Sequence, residues 1–304
     1  MLLSSDQWVD LAGRIGPYGG IQTVQDAEQL NADGFTLVLP SSYDPKLLAA
    51  LAHHGIKYID NYMWQLIYQA CRQQNDFRRA QHQVAACELS TEEQEAIASQ
   101  TRNHLEAISS DHSVAGFWIL DDYPGQISPT LKTIHSLVAH ANAAAGLHRP
   151  TICGAGGILD MKNMSRRISR RYLNLALSNI TPEGCDLVSP YLYAASSDNN
   201  PDLVDWSMHK TIPYLIRTLK DRQFNVSSPL LLPLLHAFST SNHYVMPRPQ
   251  DIVAQTKAYA KVKPVALLFF TWQSADAEQS YSNNAVIREG VRQAAAYFRA
   301  QESR

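Results

Sequence analysis

Residues Val114 to Gly125 read VAGFWILDDYPG, and this stretch decides the fold. An unbroken apolar run, Val114 to Leu120, stops at two adjacent acids, Asp121 and Asp122, and Tyr123-Pro124-Gly125 then turns the chain. The run is short for a helix and rich in residues that suit strands. Strands buried on both faces look like this, and a polar stop at the carboxyl end is where a parallel sheet carries its site. Pro124 has no N–H to give a ladder, so the strand ends before it.

Outward from this stretch the chain alternates strand-like and helix-like segments. The strands expected before it are Arg14 to Gly20, Phe35 to Leu39 and Ile56 to Ile59. Those after it are Pro150 to Cys153, Cys185 to Tyr193, Pro229 to Ala237 and Pro264 to Trp272. Helices are expected between them, with Asp44 as an N-cap and Gly55 and Gly146 as stops. Ser90 and Glu93 form a capping box for a helix from Thr91. A long insert, Tyr62 to Ser90, follows the third strand; it is expected to fold over the catalytic face as a lid or cleft wall, with Trp64 and Tyr68 touching substrate. Eight strand–helix units without a composition break predict one domain, a single (β/α)8 TIM barrel over 1–304. A doubly wound open sheet is the alternative. Its glycine fingerprint is missing, because GPYGG after the first strand is not GxGxxG.

Composition narrows the function. The 304 residues are 45% hydrophobic, with 26 basic and 28 acidic side chains and a formal net charge of -2. That balance gives no electrostatic reason to expect nucleic acid or an acidic membrane as partner. No apolar run reaches the roughly 18 residues that span a bilayer. The opening MLLSSDQWVD shows no signal peptide, leaving a cytoplasmic protein and a secreted one with its signal removed both open. None of the four cysteines forms a CxxC pair; Cys71 and Cys87 share the insert, where a disulfide and free thiols are both open readings.

In such a barrel the site lies at the carboxyl ends of the strands. Those ends offer Tyr18 and Gln22, Asp60 and Asn61 with Trp64 beyond, Asp121 and Asp122, Tyr191 and Tyr193 with Asp198 in the loop, His236, and Trp272 and Gln273 with Asp276 beyond. Carboxylates, amides and aromatic faces around one mouth suit a sugar: rings cover its apolar side and polar groups take its hydroxyls. No lysine ends a strand, which argues against a Schiff-base enzyme. Only one strand end has a histidine, too few ligands for a catalytic zinc, so neither a metal nor another cofactor is expected.

GFWILDDYPG resembles the fourth-strand motif of the chitinase-type glycoside hydrolases, family 18, which runs roughly DGxDxDWEYPG with its Glu as proton donor. Aligned on Tyr-Pro-Gly, the donor falls on Asp122. SPYLYA resembles that family's strand with a catalytic tyrosine, which falls on Tyr193. LLFFTWQ resembles the strand whose tryptophan floors the sugar site, which falls on Trp272. The family's supporting acids fall on Ala115, Trp118 and Leu120, so the resemblance implies the class, a TIM-barrel glycoside hydrolase, more than the family.

A glycosidase needs two carboxyl groups across the scissile bond, one of them protonated near neutral pH. Neighbouring strand residues face opposite ways. Counting by twos from Trp118 and Leu120 turns Asp122 into the mouth as proton donor and leaves Asp121 behind it as support. Asp60 is the expected partner carboxylate and Asp276 the next, with Tyr193 or His236 orienting water or stabilising charge. The other substrate-binding candidates are Tyr18, Asn61, Trp64, Tyr191, Trp272 and Gln273. Paired acids before a turn also cap helices, and a strand-end histidine also serves as core. The expected activity is therefore hydrolysis of a glycosidic bond. The alternatives are a carbohydrate-binding barrel without catalysis and a carboxylate-dependent barrel enzyme on a non-sugar substrate. Oligomeric state stays open.

Overall fold

The computed structural model describes residues 8–41, 43–74, 87–121, 126–156, 177–193, 203–226, 230–240, 244–275 and 277–302. Eight strands form one sheet in the order β1-β8-β7-β6-β5-β4-β3-β2. They are β1 (Arg14–Tyr18), β2 (Leu37–Val38), β3 (Lys57–Asp60), β4 (Val114–Leu120), β5 (Thr151–Ala155), β6 (Leu187–Leu192), β7 (Leu234–His236) and β8 (Ala266–Phe270). Every ladder is parallel. A parallel bridge between Tyr18 and Leu39, with the Leu39 N–H donating to Pro17 O, joins β1 to β2 and closes the barrel. Gly16 permits that closure: a Cβ there would stand 1.5 Å from the Leu37 carbonyl oxygen. The chain is a (β/α)8 barrel, as the alternating segments predict.

Among the described residues the helices that wrap it are α1 (Val24–Ala32), α2 (Pro45–His53), α3 (Tyr62–Gln74), α4 (Thr91–Ala107), α5 (Ser128–Ala145), α6 (Leu203–Trp206), α7 (Ile212–Asp221), α8 (Pro249–Ala260) and α9 (Ala285–Glu302). Their ends follow local chemistry. Asp44 accepts from the Lys46 N–H, Ser90 and Glu93 close the expected capping box, and Gly146 stops α5 at φ 66°. Pro213 does not break the helical run that holds it. A π-helical turn, Ser207–Thr211, links α6 to α7 instead, and Pro213 sits in the first turn of α7, where a missing N–H costs little. β7 is shorter than the apolar run around it, because Pro233 cannot donate to a ladder.

The insert after β3 begins as α3, whose Met63, Ile67 and Cys71 are buried in the core. Its residues 75–86, and the helix expected within 159–180 up to residue 176, lie outside the described residues. Two disulfides are present, Cys71–Cys87 and Cys153–Cys185. The first takes up one of the open readings for the insert. The second joins β5 to the segment entering β6 and was not anticipated, since 32 residues of sequence separation say nothing about Cα distance.

Candidate active site

On parallel strands, register partners share a face, so the inward set can be read around the barrel. Tyr18 pairs with Phe270, Phe270 with His236, and Leu234 with Tyr191. Two residues before Tyr191, Ser189 pairs with Gly154, and Tyr193 lies two residues after Tyr191. Trp118 meets the Tyr18 ring edge-on at 5.5 Å, which turns it inward as well.

The β4–β5 ladder shifts register between Trp118 and Leu120: Trp118 pairs with Ile152 and Leu120 with Cys153. One extra residue therefore stands on β4, and the parity of the strand changes above it. Carried one residue on, the shifted register sets Asp121 against inward-facing Gly154. Asp121 was expected behind Asp122; the shifted ladder turns its carboxyl inward. Counting by twos assumes an unbroken ladder, and this ladder is broken. Asp122 lies outside the described residues, as do Asp198 and Asp276.

Asp121 is held from two sides. The Tyr18 hydroxyl donates to its Oδ2 at 2.5 Å, and the Tyr191 hydroxyl donates to its Oδ1. Burial pushes its pKa up from 3.8 to about 6, against the Tyr18 hydrogen bond, which lowers it. Among the described residues no lysine or arginine pairs with it. Gly154 leaves room for this arrangement, because a Cβ there would stand 2.6 Å from the Tyr191 hydroxyl oxygen.

Beside the acid stands an aromatic wall. Tyr193 stacks on Tyr191 at 5.8 Å and also meets His236, Phe238, Tyr244 and Phe270. Phe270 touches Tyr18 and Phe238 in turn. His236 is fully buried. Its Nε2 lies 2.7 Å from Phe238 O, and burial holds the ring down to about 3. The imidazole is therefore neutral, with Nε2–H donating, and Gln255 clamps its backbone through both N–H and carbonyl. It serves as a fixed wall rather than as an acid or base at neutral pH.

Other expected site residues stand elsewhere. Asp60 pairs in register with Phe117, on the face opposite Trp118. Its Oδ2 lies 2.9 Å from His104 Nε2 on α4, and its Oδ1 accepts from the Tyr62 N–H. Only 1% of the residue is exposed. It braces β3 to the helix layer, so the carboxylate expected to partner Asp122 is engaged with α4 and α3 instead. His104→Ala strips one partner from this buried carboxylate and should cost about 1–3 kcal/mol in chemical denaturation. An unchanged midpoint would contradict the brace.

Asn61 Oδ1 accepts from the Tyr43 hydroxyl at 2.5 Å and from Gln65 Nε2 at 2.9 Å, so it ties α3 to the loop before α2. Trp64 is 8% exposed and leans on Tyr68 within the α3 packing. Trp272 is 3% exposed; it stacks on Tyr281 at 4.8 Å and donates from Nε1 to Asp26 at 3.2 Å. That packs it against α1 and the entry to α9 rather than under a sugar, and Phe270 occupies the inward position of β8 instead. Gln273 is exposed, with Gly20 pressed against its backbone. Trp118, Phe238, Tyr244 and Phe270 were missed in the sequence, because an apolar ring in an apolar run carries no mark of the face it takes.

The class that fold and mouth define is a (β/α)8 barrel with an inward carboxyl beside an aromatic wall. No family model matches the sequence, and no curated protein matches it. Solved structures do share the fold. The β-galactosidase of the psychrophilic Marinomonas ef1 superposes with a TM-score of 0.56 at 10% identity, over 95% of this chain and 60% of that one. A β-glucuronidase of Ruminococcus gnavus in complex with N1-substituted uronic isofagomine gives 0.50 at 9% identity, over 96% and 48%. A glycoside hydrolase family 18 N-acetylglucosaminidase from Paenibacillus barengoltzii gives 0.50 at 7% identity, over 92% and 99%. The chain thus spans only about half to three-fifths of the first two. At these identities the likeness is one of fold: a barrel shared with glycoside hydrolases.

Proposed function

We propose that the chain is a glycoside hydrolase-like enzyme and that Asp121 is the proton donor to the leaving oxygen. The observation that carries this is the inward Asp121 carboxyl, held by two tyrosine hydroxyls and pushed up to about 6. A general acid must hold its proton near the working pH, and burial at the end of a barrel strand does that. Asp122, which the family resemblance marks as donor, is the second candidate. The aromatic wall from Tyr193 to Phe270 offers the apolar faces on which a pyranose stacks, and the glycoside hydrolase barrels with the same fold lend the class support. The second carboxyl of the pair is sought in Asp122, Asp198 or Asp276. A carbohydrate-binding barrel without turnover is the competing reading, favoured by the turn of Asp60 toward the helices.

A panel of chromogenic aryl glycosides tests the reading, with kcat/KM followed across pH. Asp121 donates only when protonated, so the rate should fall above pH about 6, tenfold per unit once the limb is established. Saturable sugar binding without any turnover would leave the binding module standing instead.

A further inference from the structure

Two polar atoms inside the barrel have no hydrogen-bond partner among the described residues: Trp118 Nε1 and Ser189 Oγ. Both residues are fully buried. They flank the same glycine. Ser189 pairs in register with Gly154, and Trp118 Cζ2 would stand 3.0 Å from a Cβ on Gly154. The Tyr191 hydroxyl, which donates to Asp121, comes to 2.6 Å of that same Cβ position. A buried indole N–H and a buried hydroxyl each cost free energy when left unmade, on the order of 1–3 kcal/mol. Natural interiors meet that cost with ordered water where two or more polar groups converge.

We propose that one ordered water accepts from the Trp118 Nε1–H and donates to Ser189 Oγ and the Tyr191 hydroxyl oxygen, making Trp118 and Ser189 positioning residues for Asp121. The water completes a chain that runs from indole to water to phenol to carboxyl. Each link polarises the next, so the chain strengthens the Tyr191 donation and favours the charged form of Asp121. The described titratable groups that bond Asp121 are Tyr18 from β1 and Tyr191 from β6. β5 presents Gly154 and β8 presents Phe270, while Asp60 on β3 faces α4 and His236 on β7 faces Tyr193. The role rests on Asp121 as the acid of the site, but the titration itself needs no substrate.

The Asp121 carboxyl is therefore followed by carbon NMR in the free protein, its signal assigned with Asp121→Asn. Ser189→Ala removes an anchor without which the water leaves, and Trp118→Phe removes the water's donor, so each should raise the midpoint by about 0.5 pH unit, the share of one modest hydrogen bond. A high-resolution crystal structure of the unaltered protein should show the water between Trp118 Nε1 and Ser189 Oγ. Ser189→Ala removes one atom, so it keeps the test open if Trp118→Phe does not fold. A midpoint unmoved in folded Ser189→Ala, or no ordered water at that position, overturns the inference. Failure to cleave any glycoside would instead sink the hydrolase reading and leave the titration result as it stands.

Discussion

Asp121→Asn should lower the chemical step by about 10² to 10⁴, the usual share of general acid catalysis. The asparagine keeps the shape and one acceptor oxygen, and the hydroxyls of Tyr18 and Tyr191 reorient around it. Substrate binding should therefore persist while kcat falls. Glycosides with good leaving groups should suffer least, since their oxygen needs little protonation. Asp122→Asn is the paired measurement: if it abolishes turnover while Asp121→Asn retains it, the acid is Asp122 and the register shift in β4 does not decide the site.

Stability separates this role from a structural one. Burial raises the folded carboxyl from 3.8 to about 6, so its protonated form favours the fold. A group with a raised folded pKa contributes stability that is present below the unfolded pKa and lost as pH rises through the folded one. The window is thus about pH 4 to 6. Above it, the native protein carries a desolvated charge that Asp121→Asn lacks. The variant should melt no lower than the unaltered protein at pH 7, and its advantage should fade on acidification. A structural acid would behave in the opposite way, losing stability on substitution. An inactive variant that is also more stable at neutral pH is the signature of an acid kept for chemistry.

The barrel was legible because its strands are closed apolar runs with polar or proline stops, and because helix ends carry their own signals at Asp44, Ser90 and Gly146. That the strand ends share one mouth was legible for the same reason, since strand ends in a barrel converge. Which way each strand-end residue points was not. Asp60 was assigned by its place at a strand end, Asp121 by periodicity and Trp272 by motif, and each is decided by something non-local. Asp60 is claimed by His104, which is 44 residues away. Asp121 is turned by one extra residue against β5. Trp272 is drawn outward by Tyr281 and Asp26, the latter 246 residues away. A period of two carries no record of a register shift, and a two-residue motif carries no record of the helix that packs behind it. Phe270 shows the same limit from the other side. Its register with Tyr18 and His236 sets it on the inward face of β8, while the motif drew attention to the tryptophan.

The Cys153–Cys185 bond should account for about 4 kcal/mol of stability, and the Cys71–Cys87 bond for about 3. In the chain-entropy account the effect grows slowly with the loop closed, here sequence separations of 32 and 16 residues. Either loss is a large fraction of what holds a domain of ordinary stability. Cys153 is wholly buried and stands beside Gly154 on the neighbouring face of β5, while Cys185 enters β6 a few residues before Ser189. The bond thus supports the β5–β6 register that sets Ser189 against Gly154, with Tyr191 two residues beyond. The Cys153→Ala/Cys185→Ala variant should unfold at markedly lower urea, with an m-value altered by its less restrained unfolded chain. Where it remains folded, its turnover should stay near that of the unaltered protein, because the ladder still holds the register. All four sulfurs are buried, so a thiol reagent should find no reactive cysteine in the native protein, and reductant should act only after unfolding. Disulfides of this kind persist in oxidising compartments. Protein produced in a reducing cytosol should therefore fall toward the stability of the double variant and recover on oxidation. Equal stability of the reduced and oxidised protein would show that the bonds add nothing to the fold.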